Sequence, residues 1–189
     1  MNQPPDFATL TEFIWEANTS MWAGNGLHIR LPDGAKRYEF EKGEFRAEDE
    51  YRGFFNSSGR TIIWSHGKPV WQMNYFGSMV SYPEMWDSDE QKLTYAKEVF
   101  NFLEEALRNA PKNAPMRGPP RFKSETREEF EVLTYRFRPT GNLSLFNGTE
   151  TIETWPEIAS LCSVPDLPPG TVFVQYIHGG LLIPKTHQD

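Results

Sequence analysis

The chain has 189 residues, 38% of them hydrophobic but 14% aromatic, and carries a net charge of −7 with a pI near 5.2. That length fits one domain whose core is rich in Trp, Phe and Tyr, since each ring buries a large area. The acidic balance argues against direct nucleic-acid binding, the single cysteine, Cys162, excludes an intramolecular disulfide or a multi-cysteine zinc site, and no apolar run approaches the roughly 20 residues of a membrane helix.

The start MNQPPDFATL has no charged n-region or apolar h-region, so a soluble, cytoplasmic protein is expected. From Asp6 onward Phe7, Leu10, Phe13, Ile14, Ala17 and Met21 recur at helical spacing. They predict an amphipathic helix over about 7–22, capped by Asp6 or by a Thr9–Glu12 box. Leu27–Leu31 alternates weakly before a Pro32-Asp33-Gly34 turn. Tyr38 and Phe40 then alternate with charged residues up to a second turn at Lys42-Gly43. In the following strand Phe45, Ala47, Asp49 and Tyr51 share one face, and Glu44, Arg46, Glu48 and Glu50 share the other.

Asn56–Gly59 reads as a loop, Ile62–Trp64 as a short strand and His66-Gly67 as a hairpin turn. The return strand Val70–Phe76 sets Trp71, Met73 and Tyr75 on one face and Gln72, Asn74 and Phe76 on the other. Aromatics on both faces predict an interior strand covered on two sides. Ser88 and Gln91 form a capping box for a second helix over about 89–109, with Leu93, Ala96, Val99, Phe100, Leu103 and Leu107 on its apolar face. The Pro-rich run APKNAPMRGPP at 110–120 is expected to be extended. Beyond it lie a strand over Phe130–Phe137, a turn at Pro139–Asn142, strand residues Leu143–Phe146, a turn at Asn147-Gly148 and a strand over Thr149–Thr154. A loop with one helical turn at Glu157–Leu161 precedes a last strand, Val172–Ile177, closed by His178-Gly179-Gly180. Helix, strands, helix, strands predicts a single α+β domain over 1–189, with a mainly antiparallel sheet.

The two β-rich parts echo each other. Gly59-Arg60-Thr61-Ile62-Ile63 aligns with Gly148-Thr149-Glu150-Thr151-Ile152, and each is followed by an aromatic strand ending in glycine, VWQMNYFG and VFVQYIHGG. A pseudo-repeat of 44–80 and 128–183 would bring two hairpin units together along one core, and a cleft at such a junction is a common ligand site. The alternative is that two hairpins simply look alike.

Seven segments, in one order along nearly the whole chain, carry a family resemblance: Phe13-Ile14-x-Glu16-Ala17, Asp49-x-Tyr51-x-Gly53, Pro69-Val70-Trp71-x-Met73-Asn74-Tyr75-x-Gly77, Phe102-Leu103-x-x-Ala106-Leu107, Pro115-x-Arg117-Gly118-Pro119, Phe146-x-Gly148-x-Glu150-x-Ile152 and Tyr176-x-His178-Gly179-Gly180. The chain resembles a bacterial family filed as a domain of unknown function, some members of which follow a helix-turn-helix DNA-binding module. It departs at Thr61, where a glutamate like Glu150 is expected, and in a longer loop over 153–170. The resemblance implies a compact α+β domain and no particular activity. The N-terminal helix here lacks a basic recognition partner, so the regulatory role does not carry over.

Seven residues form the candidate ligand-binding set: Asp49, Trp71, Asn74, Tyr75, Arg117, Glu150 and His178. Asp49 lies on an apolar strand face, where a carboxylate needs partners. It is either a buried acid held by backbone N–H, Tyr or Arg groups, or a ligand-contacting acid or base whose pKa burial raises. Arg117, framed by Pro and Gly, would pair with Asp49 or grip an anionic ligand. Asn74, beside Gln72, would read a ligand or pair across strands, and His178 sits where the glycines allow close backbone approach. Trp71 and Tyr75, with Trp64 and Phe76, would stack a ring or build the core. Four histidines without HxH, HxxxH or HExxH spacing predict no metal site, and no cofactor signature is present.

The leading expectation is therefore a non-enzymatic small-molecule-binding or sensory domain. Two alternatives stand beside it: a hydrolase-like enzyme using Asp49 and Glu150 as acid and base with His178 assisting, and an acidic protein–protein module. A homodimer is compatible with each.

Overall fold

The structure is a computed structural model that describes residues 6–24, 26–82, 88–124, 132–155 and 166–182. Asp6 starts the first helix by accepting the Thr9 N–H at 3.0 Å, so the cap is this aspartate and not a Thr9–Glu12 box. Helix α1 (Phe7–Ser20) buries Leu10, Phe13, Ile14 and Ala17 as one stripe. Five strands follow: β1 (His28–Arg30), β2 (Lys36–Lys42), β3 (Phe45–Gly53), β4 (Asn56–Ser65) and β5 (Lys68–Met79). Helix α2 (Asp89–Arg108) opens on the expected Ser88–Gln91 capping box. Then come β6 (Arg121–Lys123), β7 (Val132–Asn142), β8 (Leu145–Trp155) and β9 (Thr171–Leu181).

The nine strands form one sheet in the order β1-β2-β3-β4-β5-β9-β8-β7-β6, antiparallel at every pairing. With two helices this is an α+β fold. Two three-stranded meanders, β3-β4-β5 and β7-β8-β9, abut at the β5–β9 pair. Gly59 lies opposite Tyr75, Tyr75 opposite Ile177, and Ile177 opposite Gly148, so the two glycines of the echoed segments end one row across the middle of the sheet.

One sheet face carries the core. Ala47, Ile63, Trp71, Met73, Phe146, Ile152, Phe173 and Ile177 point to it and pack beneath the helices. Phe13 of α1 lies 5.0 Å from Phe45 and 5.6 Å from Phe40, and Phe100 of α2 lies 5.6 Å from Phe173, ring centre to ring centre. Trp71 is fully enclosed and donates its indole N–H to the Leu143 carbonyl at 3.0 Å. Its place is the core, where an indole must find a partner.

Several local expectations change. β5 is interior to the sheet but is covered on one face only, because both described helices pack on the other. Phe76 is 56% exposed and its cross-strand partner Tyr176 is 53% exposed. Asn56–Gly59 belongs to β4, and Asn147-Gly148 lies inside β8, where the glycine serves packing: a Cβ there would meet the Phe137 ring at 2.4 Å. β7 continues through Pro139 because β6 pairs only as far as Arg136, leaving an open flank where a residue without an N–H is tolerated. β9 likewise runs on through His178, Gly179 and Gly180. Residues 110–120 are non-helical, but they fold as successive turns, with the Ala114 N–H donating to the Pro111 carbonyl at 3.1 Å. On α2, Leu93 is 36% exposed while Tyr95, Phe102 and Ala106 are buried. The helical turn expected at Glu157–Leu161, the residue Cys162, and Phe130 and Glu131 lie outside the described residues.

Gly148→Ala therefore has a definite consequence. With the Phe137 ring confined in the core, the added methyl forces ring or strand to shift, at about 1–3 kcal/mol. Urea unfolding measures it, and an unchanged midpoint would mean the ring yields freely.

Candidate functional site

Strand alternation turns Asp49 inward with Phe45, Ala47 and Tyr51, leaving it 7% exposed. Tyr38 on β2 and Thr61 on β4 are its direct cross-strand neighbours. The Thr61 hydroxyl donates to Asp49 Oδ1 at 2.7 Å, and the Tyr75 hydroxyl reaches Oδ1 at 3.2 Å and Oδ2 at 3.1 Å. Gly59 makes the second contact feasible, because a Cβ at this position would meet the Tyr75 oxygen at 2.4 Å. Burial pushes the Asp49 carboxyl above its ordinary value, opposed by these two hydroxyls and by the charge of Arg117. Burial and the nearby Asp49 raise Tyr75 well above the usual phenol range, so it remains a neutral donor.

Arg117 is delivered by the 110–120 segment, which α1 holds down. Trp15 donates its indole N–H to the Ala110 carbonyl at 3.0 Å, and Asn18 its amide to the Pro115 carbonyl at 2.8 Å. The guanidinium donates from Nε and Nη2 to Glu150 at 3.3 and 2.9 Å, and from Nη2 to Gln175 Oε1 at 3.2 Å. The Tyr135 hydroxyl donates to Glu150 at 2.6 Å and accepts the Gly118 N–H at 3.1 Å. The partner of Arg117 is thus Glu150 and not Asp49, because its planar fork meets the β8 carboxylate in two bonds. Burial pulls the guanidinium down, but the charge of Glu150 outweighs it and Arg117 stays protonated. Its cationic centre also lies 5.7 Å from the centre of the Tyr75 ring.

Above Asp49 opens a cavity of about 260 Å³. Its floor is the sheet, including Tyr38, Asp49, Tyr51, Thr61, Met73 and Tyr75; α2 supplies Phe100, Asn101, Leu103, Glu104 and Leu107; Met21, Trp22 and Ala23 close the end beyond α1. Arg117 and Gln175 form the wall toward the second meander. Tyr38 and Tyr51 stack 6.3 Å apart. Burial, then the neighbouring Tyr51, pushes Tyr38 up to about 12. Glu104 is raised by burial and eased by Arg108.

Of the seven residues expected from sequence, Asp49, Tyr75 and Arg117 line this cavity. Glu150 is wholly enclosed behind Arg117 and is not part of the cavity wall. Trp71 belongs to the core. Asn74 and His178 are cross-strand neighbours on the outer face, with Asn74 Nδ2 and His178 Nε2 3.3 Å apart, and Gln72 donates to Asn74 Oδ1 at 2.9 Å. Tyr38, Tyr51, Thr61, Glu104 and Gln175 complete the cavity or its bridge and lie outside the seven-residue set expected from sequence. Glu104 was legible: it sits four residues after Phe100 and three before Leu107, an acid on an apolar helix face. Among the described residues no group of three or more His, Cys, Asp or Glu side chains is placed to hold a metal, and no helix is long and apolar enough to cross a membrane.

Residues 49–162 match the family described as a domain of unknown function, DUF5680. The chain belongs to that family. No curated protein and no solved structure matches it.

Removing the guanidinium isolates a buried carboxylate. Arg117→Ala is expected to lose about 3–5 kcal/mol in urea unfolding, whereas Arg117→Met with Glu150→Met recovers most of it. Equal losses in the single and double variants would contradict this. Asp49 gives a test of opposite sign. Because its folded pKa lies above the unfolded 3.8, its favourable contribution is complete below that pH and is lost as pH rises through the folded value. The stability of Asp49→Asn relative to wild type should therefore increase between pH ~4 and ~8. A difference that is flat with pH would show that Asp49 is not held up by burial.

Proposed function

We propose that this protein is a non-catalytic small-molecule-binding or sensory domain whose ligand occupies the cavity between the sheet and α2. The observation that carries this reading is Asp49, a carboxylate in the wall of a ring-lined cavity. Two hydroxyl donors serve its two oxygens, fewer than a carboxylate accepts. A concave, largely apolar site with a few convergent polar groups is the usual form of a small-molecule pocket. Its volume of about 260 Å³ exceeds the ~150 Å³ of an apolar cavity that admits benzene, room for a compact single-ring molecule.

The hydrolase reading has less support. Paired acid and base carboxylates must both reach one substrate, and Glu150 is sealed behind Arg117 with Tyr135 on its Oε1. The interaction-module reading draws on the exposed Phe76 and Tyr176, which identify no partner.

A fragment library screened by thermal shift tests the binding reading, followed by NMR titration watching the Trp22 indole. Ser57→Trp fills the cavity from β4, since Ser57 lines it. Bound fragments are expected to shift wild type and to lose at least ~10-fold in affinity on that variant. Fragments that bind Ser57→Trp equally well, or a screen without any binder, would overturn the proposal.

A further inference from the structure

We infer that the cavity takes an organic cation, a protonated amine on a small ring-sized apolar body, with its ammonium seated on Asp49 between the rings of Tyr51 and Tyr75. This rests on the binding reading above and specifies the chemistry of its ligand.

Three observations on the cavity wall converge on it. First, the two carboxylates that face the cavity, Asp49 and Glu104, form no ion pair among the described residues, whereas eight other acidic side chains do. Second, the charge of the basic group deepest in the wall is already paired: Arg117 gives two hydrogen bonds to Glu150 and one to Gln175, all from Nε and Nη2. The remaining lysines of the wall lie toward solvent, Lys97 exposed and Lys36 half-buried. Third, the tyrosines beside Asp49 already accept positive charge on their rings. The Lys36 ammonium is 5.4 Å from the Tyr51 centroid, and the Arg117 guanidinium 5.7 Å from that of Tyr75. Tyr75 meets Asp49 through its hydroxyl, and a cavity that joins aromatic rings to a carboxylate suits an ammonium ligand. An anion would instead meet two carboxylates without ion-pair partners, Asp49 on the floor and Glu104 on α2, a like-charge contact that disfavours it. Desolvation supports the same choice, since an arriving cation compensates a carboxylate that burial otherwise penalises.

Three probes of one shape test the sign of the charge: phenethylammonium, 2-phenylethanol and phenylacetate, titrated at neutral pH and followed by the Trp22 indole signal. The ammonium is expected to bind at least ~10-fold more tightly than phenylacetate. Asp49→Asn should remove at least ~10-fold of the ammonium affinity and leave the alcohol within ~2-fold. If Asp49→Asn loses its dispersed NMR spectrum, Glu104→Gln serves instead, with an expected loss of ~3-fold for the ammonium alone. Tighter binding of the alcohol or of phenylacetate in the cavity overturns the cation inference and leaves the binding domain standing. If none of the three moves the Trp22 signal at millimolar concentration, the inference fails too, and the fragment screen on Ser57→Trp then decides the wider reading separately.

Discussion

A buried guanidinium holds the centre of this acidic protein together. Arg117 stands between two inward-facing carboxylates on an otherwise apolar sheet face, bonding Glu150 directly and acting on Asp49 through charge. Charges on such a face are costly unless paired and hydrogen-bonded. Glu150 is therefore satisfied from two directions, by Arg117 and by Tyr135, and Tyr135 is itself fixed by the Gly118 N–H. The turns of 110–120 exist in register with this requirement: α1 holds their carbonyls with Trp15 and Asn18 so that the next side chain can reach across the sheet.

The two meanders share a plan and differ at one position that matters. By the sequence echo, Thr61 on β4 stands where β8 has Glu150. The longer acid is locked into the bridge, and that side of the sheet is closed. The shorter threonine gives its hydroxyl to Asp49 and leaves volume above the floor, which becomes the cavity. The matched glycines Gly59 and Gly148 do similar work, each making way for an aromatic ring, Tyr75 in one half and Phe137 in the other. One half thus became a sealed structural core and the other an open pocket, from the same strand pattern.

The sheet is also one-sided at β5. Its inner face carries the core and cavity beneath α1 and α2. Its outer face shows half-buried ion pairs such as Arg37–Glu50 and Arg136–Glu153, with Phe76 and Tyr176 exposed side by side in the middle and Thr151 and Val174 buried toward one end. The larger part of the core lies in the inner layer. The distinction explains why Asn74, adjacent in sequence to the cavity residues Met73 and Tyr75, and its cross-strand neighbour His178 play no part in the cavity: a step of one residue along a strand changes face.

Sequence alone determined what local periodicity and turn chemistry encode: two amphipathic helices, the Ser88 cap, an antiparallel α+β arrangement, the place of Asp49 on an apolar strand face, and the common face of Trp71 and Tyr75. Each follows from the 3.6 and 2 residue repeats, which need no knowledge of the rest of the chain. Strand ends were less legible, because Gly148, Pro139 and Gly179 read as breaks until the neighbouring strand shows what each accommodates. Tertiary structure alone decided which acid Arg117 meets, which half of the sheet closes and which face of β5 is covered. Those outcomes depend on contacts between residues 33 and 58 positions apart, as in Arg117 with Glu150 and with Gln175, and no local pattern fixes a distance of that kind.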